Sequence, residues 1–110
     1  MSLTIEPALL APFEIWEVPL DDSTIKFNEP LIVKPAILDR GTPEECFCAE
    51  CPELDISAAG VDIDELSSCL RSDIRMTWKR VLQKQNNKLT AKELAVKRRF
   101  LKIAEEVFDG

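Results

Sequence analysis

Apolar and polar residues change rhythm near residue 60. Before it, apolar residues come in short runs separated by prolines; after it, they recur mostly at steps of three and four. The first rhythm suits strands, whose side chains alternate between two faces, and the second suits helices. Pro7, Pro12, Pro19, Pro30, Pro35 and Pro43 exclude a long helix from the first part, because each lacks an amide hydrogen and its ring collides with the preceding turn. Between them, "FEIWEV" (13–18) reads as a strand with both faces partly apolar. "DDS" (21–23) is a turn signal, and "TIKF" resumes as strand. "LIVKPAIL" (31–38) is the strongest strand, and its Pro35 marks an edge or a bulge. Residues 39–45, with Gly41 and Pro43, read as a hairpin connection. Strands over 46–51 and 54–59 follow, parted by Pro52, and Gly60 ends the strand-rich part.

Asp62 then offers an N-cap with Glu65 three residues on, the spacing of a capping box. Ile63, Leu66, Leu70, Ile74, Trp78 and Val81 continue as an apolar stripe, which predicts a helix over 62–84. "QNNK" (85–88) interrupts it, and Thr90 with Glu93 opens a second capping box. Val96, Phe100, Ile103 and Val107 predict a second helix over 90–108. Strands followed by helices make an α+β pattern. The expected architecture is one domain, residues 1–110, with an antiparallel sheet from the strand-rich part (1–60) and two amphipathic helices packed on one of its faces. Phe100, Val107 and Phe108 give the second helix more apolar surface than one sheet needs, and a homodimer is expected to cover the excess.

Composition narrows the chemistry. The chain has 110 residues, no His and no Tyr. A Ser-His-Asp triad, a Cys-His pair and an imidazole metal ligand are all excluded. Gly41, Gly60 and Gly110 are the only glycines, too few and too scattered for a phosphate-cradling loop. The acids Glu44 and Glu45 flank a turn, while Asp62 and Glu65 serve the helix cap, so no carboxylate pair is marked as catalytic. No enzyme activity and no cofactor are expected. No apolar run is long enough to span a bilayer. The opening residues lack a positive n-region and a cleavage site, which predicts a cytoplasmic protein with reduced thiols.

Charge is segregated. Residues 1–70 carry 15 acidic and 3 basic side chains; residues 71–110 carry 5 acidic and 11 basic, within a whole-chain net charge of −6. The basic part contains Lys79, Arg80, Lys84, Lys88, Lys92, Lys97, Arg98, Arg99 and Lys102. Of these, Lys97, Arg98, Arg99 and Lys102 are candidate phosphate contacts. A pI of about 4.7 and the scarcity of aromatics for base stacking weigh against nucleic acid.

The remaining chemistry is "EECFCAEC" (44–51), which holds Cys46, Cys48 and Cys51, with Cys69 further on. On a strand, Cys46 and Cys48 share one face with Glu50, while Phe47, Ala49 and Cys51 share the other. A four-cysteine zinc site commonly takes its ligands from paired C-x-x-C turns. Only Cys48 and Cys51 have that spacing here. A redox dithiol needs its pair at a helix N-terminus, whereas this pair precedes Pro52 and another strand. Cysteine as a small apolar residue is the reading that fits, with a metal site at Cys46, Cys48, Cys51 and Cys69 as the alternative.

Residues 47–82 resemble the half-domain of HicB-type antitoxins. Phe47 and Ala49 match the alternating strand, Pro52-Glu53-Leu54 the turn, Ser57-Ala58-Ala59-Gly60 the strand exit, and Asp62-Ile63-Asp64-Glu65-Leu66 the helix start. The sequence departs from the family where Asp55-Ile56 replace the usual Pro-Gly-Cys, where Leu66 replaces Ala, and in showing no DNA-binding segment after the half-domain. The resemblance implies a scaffold that works by binding. The expected function is a non-catalytic protein-interaction module, antitoxin-like, whose acidic surface suits a small basic protein. The alternative is a nucleic-acid-binding regulator that uses the basic helices.

Overall fold

Residues 11–108 are described by a computed structural model; the expectation at Pro7 lies outside them. Strands β1 (Phe13–Pro19), β2 (Ser23–Val33), β3 (Ala36–Leu38), β4 (Cys46–Cys51) and β5 (Ile56–Gly60) come first. Helices α1 (Ile63–Leu82) and α2 (Ala91–Ile103) follow, and strand β6 (Ala104–Phe108) comes after them. The fold is α+β.

The strands make two antiparallel three-stranded sheets, β1-β2-β6 and β3-β4-β5, in place of the one expected. The division falls inside the run 31–38. β2 ends at Val33 and β3 begins at Ala36, with Lys34 and the buried Pro35 between them. Proline has no amide hydrogen to give a ladder, so the chain changes sheet there. Pro30, by contrast, lies within β2. Pairing with β6 reaches only Phe27, and pairing with β1 jumps from Lys26 to Leu31, so that residues 27–30 bulge opposite Trp16. Pro30 therefore sits where neither neighbour asks for a hydrogen bond.

Strand β4 begins and ends as expected, and β5 is displaced to 56–60 by a single 3-10 turn at Pro52–Leu54. Asp55 closes that turn with φ 57°, a left-handed conformation that Asp tolerates better than most residues. Gly60 meets the first turn of α1 closely. A Cβ there would lie 2.6 Å from the Leu66 amide nitrogen and 2.9 Å from the Glu65 carbonyl carbon.

Asp62 caps α1, accepting from the Glu65 amide at 2.8 Å, while the Glu65 carboxylate accepts from the Val61 amide at 3.3 Å. Thr90 and Glu93 form the full reciprocal capping box at α2. Leu66, Leu70, Ile74, Trp78 and Val81 of α1 enter a core shared with Ile15, Val18 and Ile25 of one sheet and Phe47, Ala49 and Ile56 of the other. α1 touches β1, β4 and β5 and so bridges the two sheets. Each fully buried Leu or Ile contributes about 1.5–3 kcal/mol to holding that bridge.

The helix expected over 90–108 ends at Ile103. Ala104 is already extended at φ −147° and ψ 162°, and β6 pairs antiparallel with β2 from Ala104↔Phe27 to Phe108↔Ser23. The ladder to β2 outweighs one more helical turn, and Asn28 Nδ2 donates to the freed Lys102 carbonyl at 3.2 Å. Phe100 is fully buried and meets Trp78 edge-on, ring centroids 5.1 Å apart. It is part of this chain's own core and is not available to a symmetry mate. Val107 and Phe108 do remain exposed, at the far end of β6.

Candidate functional site

The four cysteines are free thiols, each half-buried. β4 places them as alternation requires. Phe47 and Ala49 are buried in the core, Cys51 packs against it, and Cys46, Cys48 and Glu50 lie on the opposite face. Cys46 pairs with Leu38, Cys48 with Ala36 and Ala59, and Cys51 with Ile56. Cys69 lies on α1. Among the described residues no three Cys, Asp or Glu side chains are grouped to hold a metal ion. Burial pushes the Cys51 thiol above its ordinary value, the Leu54 backbone hydrogen bond lowers it, and nearby Glu53 raises it further. A thiol held protonated is a poor nucleophile and a poor ligand.

The basic residues separate into two groups. Some are engaged: Lys79 with Asp21 at 3.3 Å, Arg80 with Glu93 at 3.5 Å, and Lys92 with Asp55 at 3.1 Å. Lys97 Nζ donates to Asn86 Oδ1 at 2.7 Å and reaches the Lys84 carbonyl at 3.5 Å, which takes it away from its neighbours in sequence. Arg98, Arg99 and Lys102 are exposed, form no salt bridge among the described residues and line one cleft with Pro52, Ala95 and Val96. Their spacing explains this: 95, 98, 99 and 102 are three or four apart and share a helix face, and 97 does not. Of the four candidate phosphate contacts the fold gathers three.

One polar cluster escaped the reading of the sequence. Glu106 of β6 accepts from Ser23 Oγ at 2.7 Å through one oxygen and from Trp78 Nε1 at 3.0 Å through the other. Ser23 and Trp78 are buried, and the three residues border a cleft of about 340 Å3 with Asp21 and Asp22. Both carboxylate oxygens already have donors, which makes the cluster a tie between β2, α1 and β6. The signal that could have found it is the alternation in "AEEVF" (104–108), where Ala104 and Glu106 turn inward and Glu105 and Val107 outward.

All the acidic side chains between residues 11 and 70 are exposed, and among the described residues only Asp21 and Asp55 of them form salt bridges. No helix among the described residues is long and apolar enough to cross a membrane. Comparison with models of known families, with curated proteins and with solved structures finds no match to this chain.

Proposed function

We propose that the chain is a non-catalytic protein-interaction module, built on a HicB-like half-domain scaffold, that binds a basic partner in the manner of an antitoxin. The observation that carries this reading is unspent charge. A chain with an acidic first part and a basic second part can neutralise itself on folding; among the described residues two salt bridges cross between the parts, Lys79–Asp21 and Lys92–Asp55. Asp62, Glu65, Glu14 and Glu45 accept local hydrogen bonds, but every acidic side chain between residues 11 and 70 is exposed and carries its charge to the surface, and such a surface steers and orients a basic protein. The order strand, turn, strand, helix over 46–82 is the one the resemblance implies, and it supports the reading. The same reading puts the chain in the reducing cytoplasm, where its free thiols persist. It also allows self-association along β6, an edge strand that carries the exposed Val107 and Phe108.

The test is capture of the tagged chain from its native host, with and without nuclease. A stoichiometric basic protein that survives nuclease and is released by salt is the expected result. Recovery of the chain alone would overturn the proposal. Nucleic acid is the second reading, favoured by the gathering of Arg98, Arg99 and Lys102 in one cleft. Loss of every partner on nuclease treatment, with retardation of the pure chain by DNA or RNA at low salt, would replace the first reading with it.

A further inference from the structure

Two clefts adjoin on the surface at Pro52 and Glu53, which line both. The first, of about 540 Å3, carries Arg98, Arg99 and Lys102. The second, of about 310 Å3, is apolar at Pro30, Ile32 and Ile103 and acidic at Glu29 and Glu50. The end of α2 spans the junction, with Lys102 lining one cleft and Ile103 the other. Ile32 is a large apolar side chain that stands 53% exposed. None of Arg98, Arg99, Lys102, Glu29, Glu50 and Glu53 forms a salt bridge among the described residues.

We propose that these paired clefts bind an extended segment of a partner polypeptide. Its acidic residues face Arg98, Arg99 and Lys102, its apolar residue covers Ile32 and Ile103, and its basic residue faces Glu29 and Glu50. The proposal rests on the reading of the chain as a protein-interaction module and names the part of the partner that is held. The sign pattern selects the occupant. A nucleic-acid strand brings a negative charge at every step; it is attracted by the first cleft and repelled by Glu53, Glu50 and Glu29 in the second. A polypeptide can change sign along its length and carry an apolar side chain as well, matching a surface that gathers its basic groups in one cleft and its apolar and acidic groups in the other, with Glu53 at their junction. Guanidinium groups suit carboxylates in particular, because their planar fork pairs with both oxygens.

The probe is a displayed library of random twelve-residue peptides selected on the full chain, with the recovered peptides measured by fluorescence polarisation. Enrichment of sequences with acidic residues toward one end and apolar and basic residues toward the other is expected. The variant R98E/R99E/K102E should bind them at least about tenfold more weakly, roughly 1.4 kcal/mol, and a peptide with its acidic residues changed to Lys should recover affinity for that variant. The charge swap separates a lost contact from a lost fold, since an unfolded variant is rescued by neither peptide. Peptides without a charge pattern, or equal binding to the reversed variant, would overturn the clefts as the site. A partner captured from the host that binds the reversed variant undiminished would also overturn it, while leaving the interaction-module reading intact. Competition for the clefts by single-stranded DNA that matches or exceeds the peptides would overturn both.

Discussion

Trp78 of α1 donates its indole N–H to Glu106 of β6 at 3.0 Å, and the same carboxylate takes the Ser23 hydroxyl of β2 at 2.7 Å. One side chain thus fixes the helix to the sheet at the strand that closes it. Glu106→Ala leaves two donors without an acceptor, and a buried unsatisfied donor costs about 1–3 kcal/mol. Water reaching the neighbouring cleft holds the loss toward the lower end. Glu106→Gln keeps a carbonyl acceptor and should lose less than half as much. Urea unfolding of both variants checks this, and equal destabilisation would show that the hydrogen bonds are not what Glu106 contributes.

Gly60 and Gly41 should answer substitution by alanine differently. At Gly60 a Cβ meets backbone atoms of Glu65 and Leu66 at 2.6–2.9 Å, so the start of α1 has to move. Overpacking of this kind costs about 1–3 kcal/mol, which lowers the melting temperature by roughly 4–8 °C for each kcal/mol in a domain near this size. At Gly41 there is open space, and the cost is only that of φ +83°, about 1–2 kcal/mol for a left-handed L-residue. Thermal melts read by circular dichroism, with amide exchange at Leu66, distinguish the two. Faster exchange at Leu66 is expected for Gly60→Ala alone.

Glu93 gives the fold a dependence on acid. The Thr90 backbone amide, donating to its carboxylate at 3.0 Å, holds the carboxyl below its ordinary value of 4.5; burial opposes it, and Lys84, the Thr90 side chain and Arg80 each add a smaller pull downward. A carboxyl lowered in the folded state contributes stability that is complete above its unfolded value and is lost as pH falls through the lowered one. Titration of the Glu93 side chain by NMR should therefore show a midpoint under 4.5. In Glu93→Gln the acid-induced loss of stability over that window should shrink. An unchanged acid profile would mean that the capping box does not depend on the charge.

What the sequence disclosed and what it withheld have physical reasons. Asp62 with Glu65 and Thr90 with Glu93 announced both helix starts, because caps are local and their partners lie three residues away. The faces of β4 followed from alternation alone, so the placing of Phe47 and Ala49 inside and Cys46 and Cys48 outside was readable. β6 was hidden. Phe100, Ile103 and Val107 fit the helical period as well as 104–108 fits a strand, and only the distant β2 decides between them. The cluster at Glu106 was lost with it. The basic cleft was half legible: helical spacing groups Arg98, Arg99 and Lys102, but Pro52 and Glu53 beside them come from the turn after β4.

The pairing of β2 with β6 also sets the order in which the molecule can assemble. Ser23 and Glu106 are 83 residues apart along the chain, so the first sheet stays incomplete until nearly everything between them has been made. Before that, β1 and β2 form a two-stranded hairpin, which is marginal in water, and β2 presents an open row of amides and carbonyls along Ser23–Phe27. The segment from β4 through α1 joins neighbours in sequence and can organise early. Closure by β6 comes late and slowly, as long-range pairings do. During that interval the bare side of β2 is where a nascent chain is most exposed to pairing with the wrong strand.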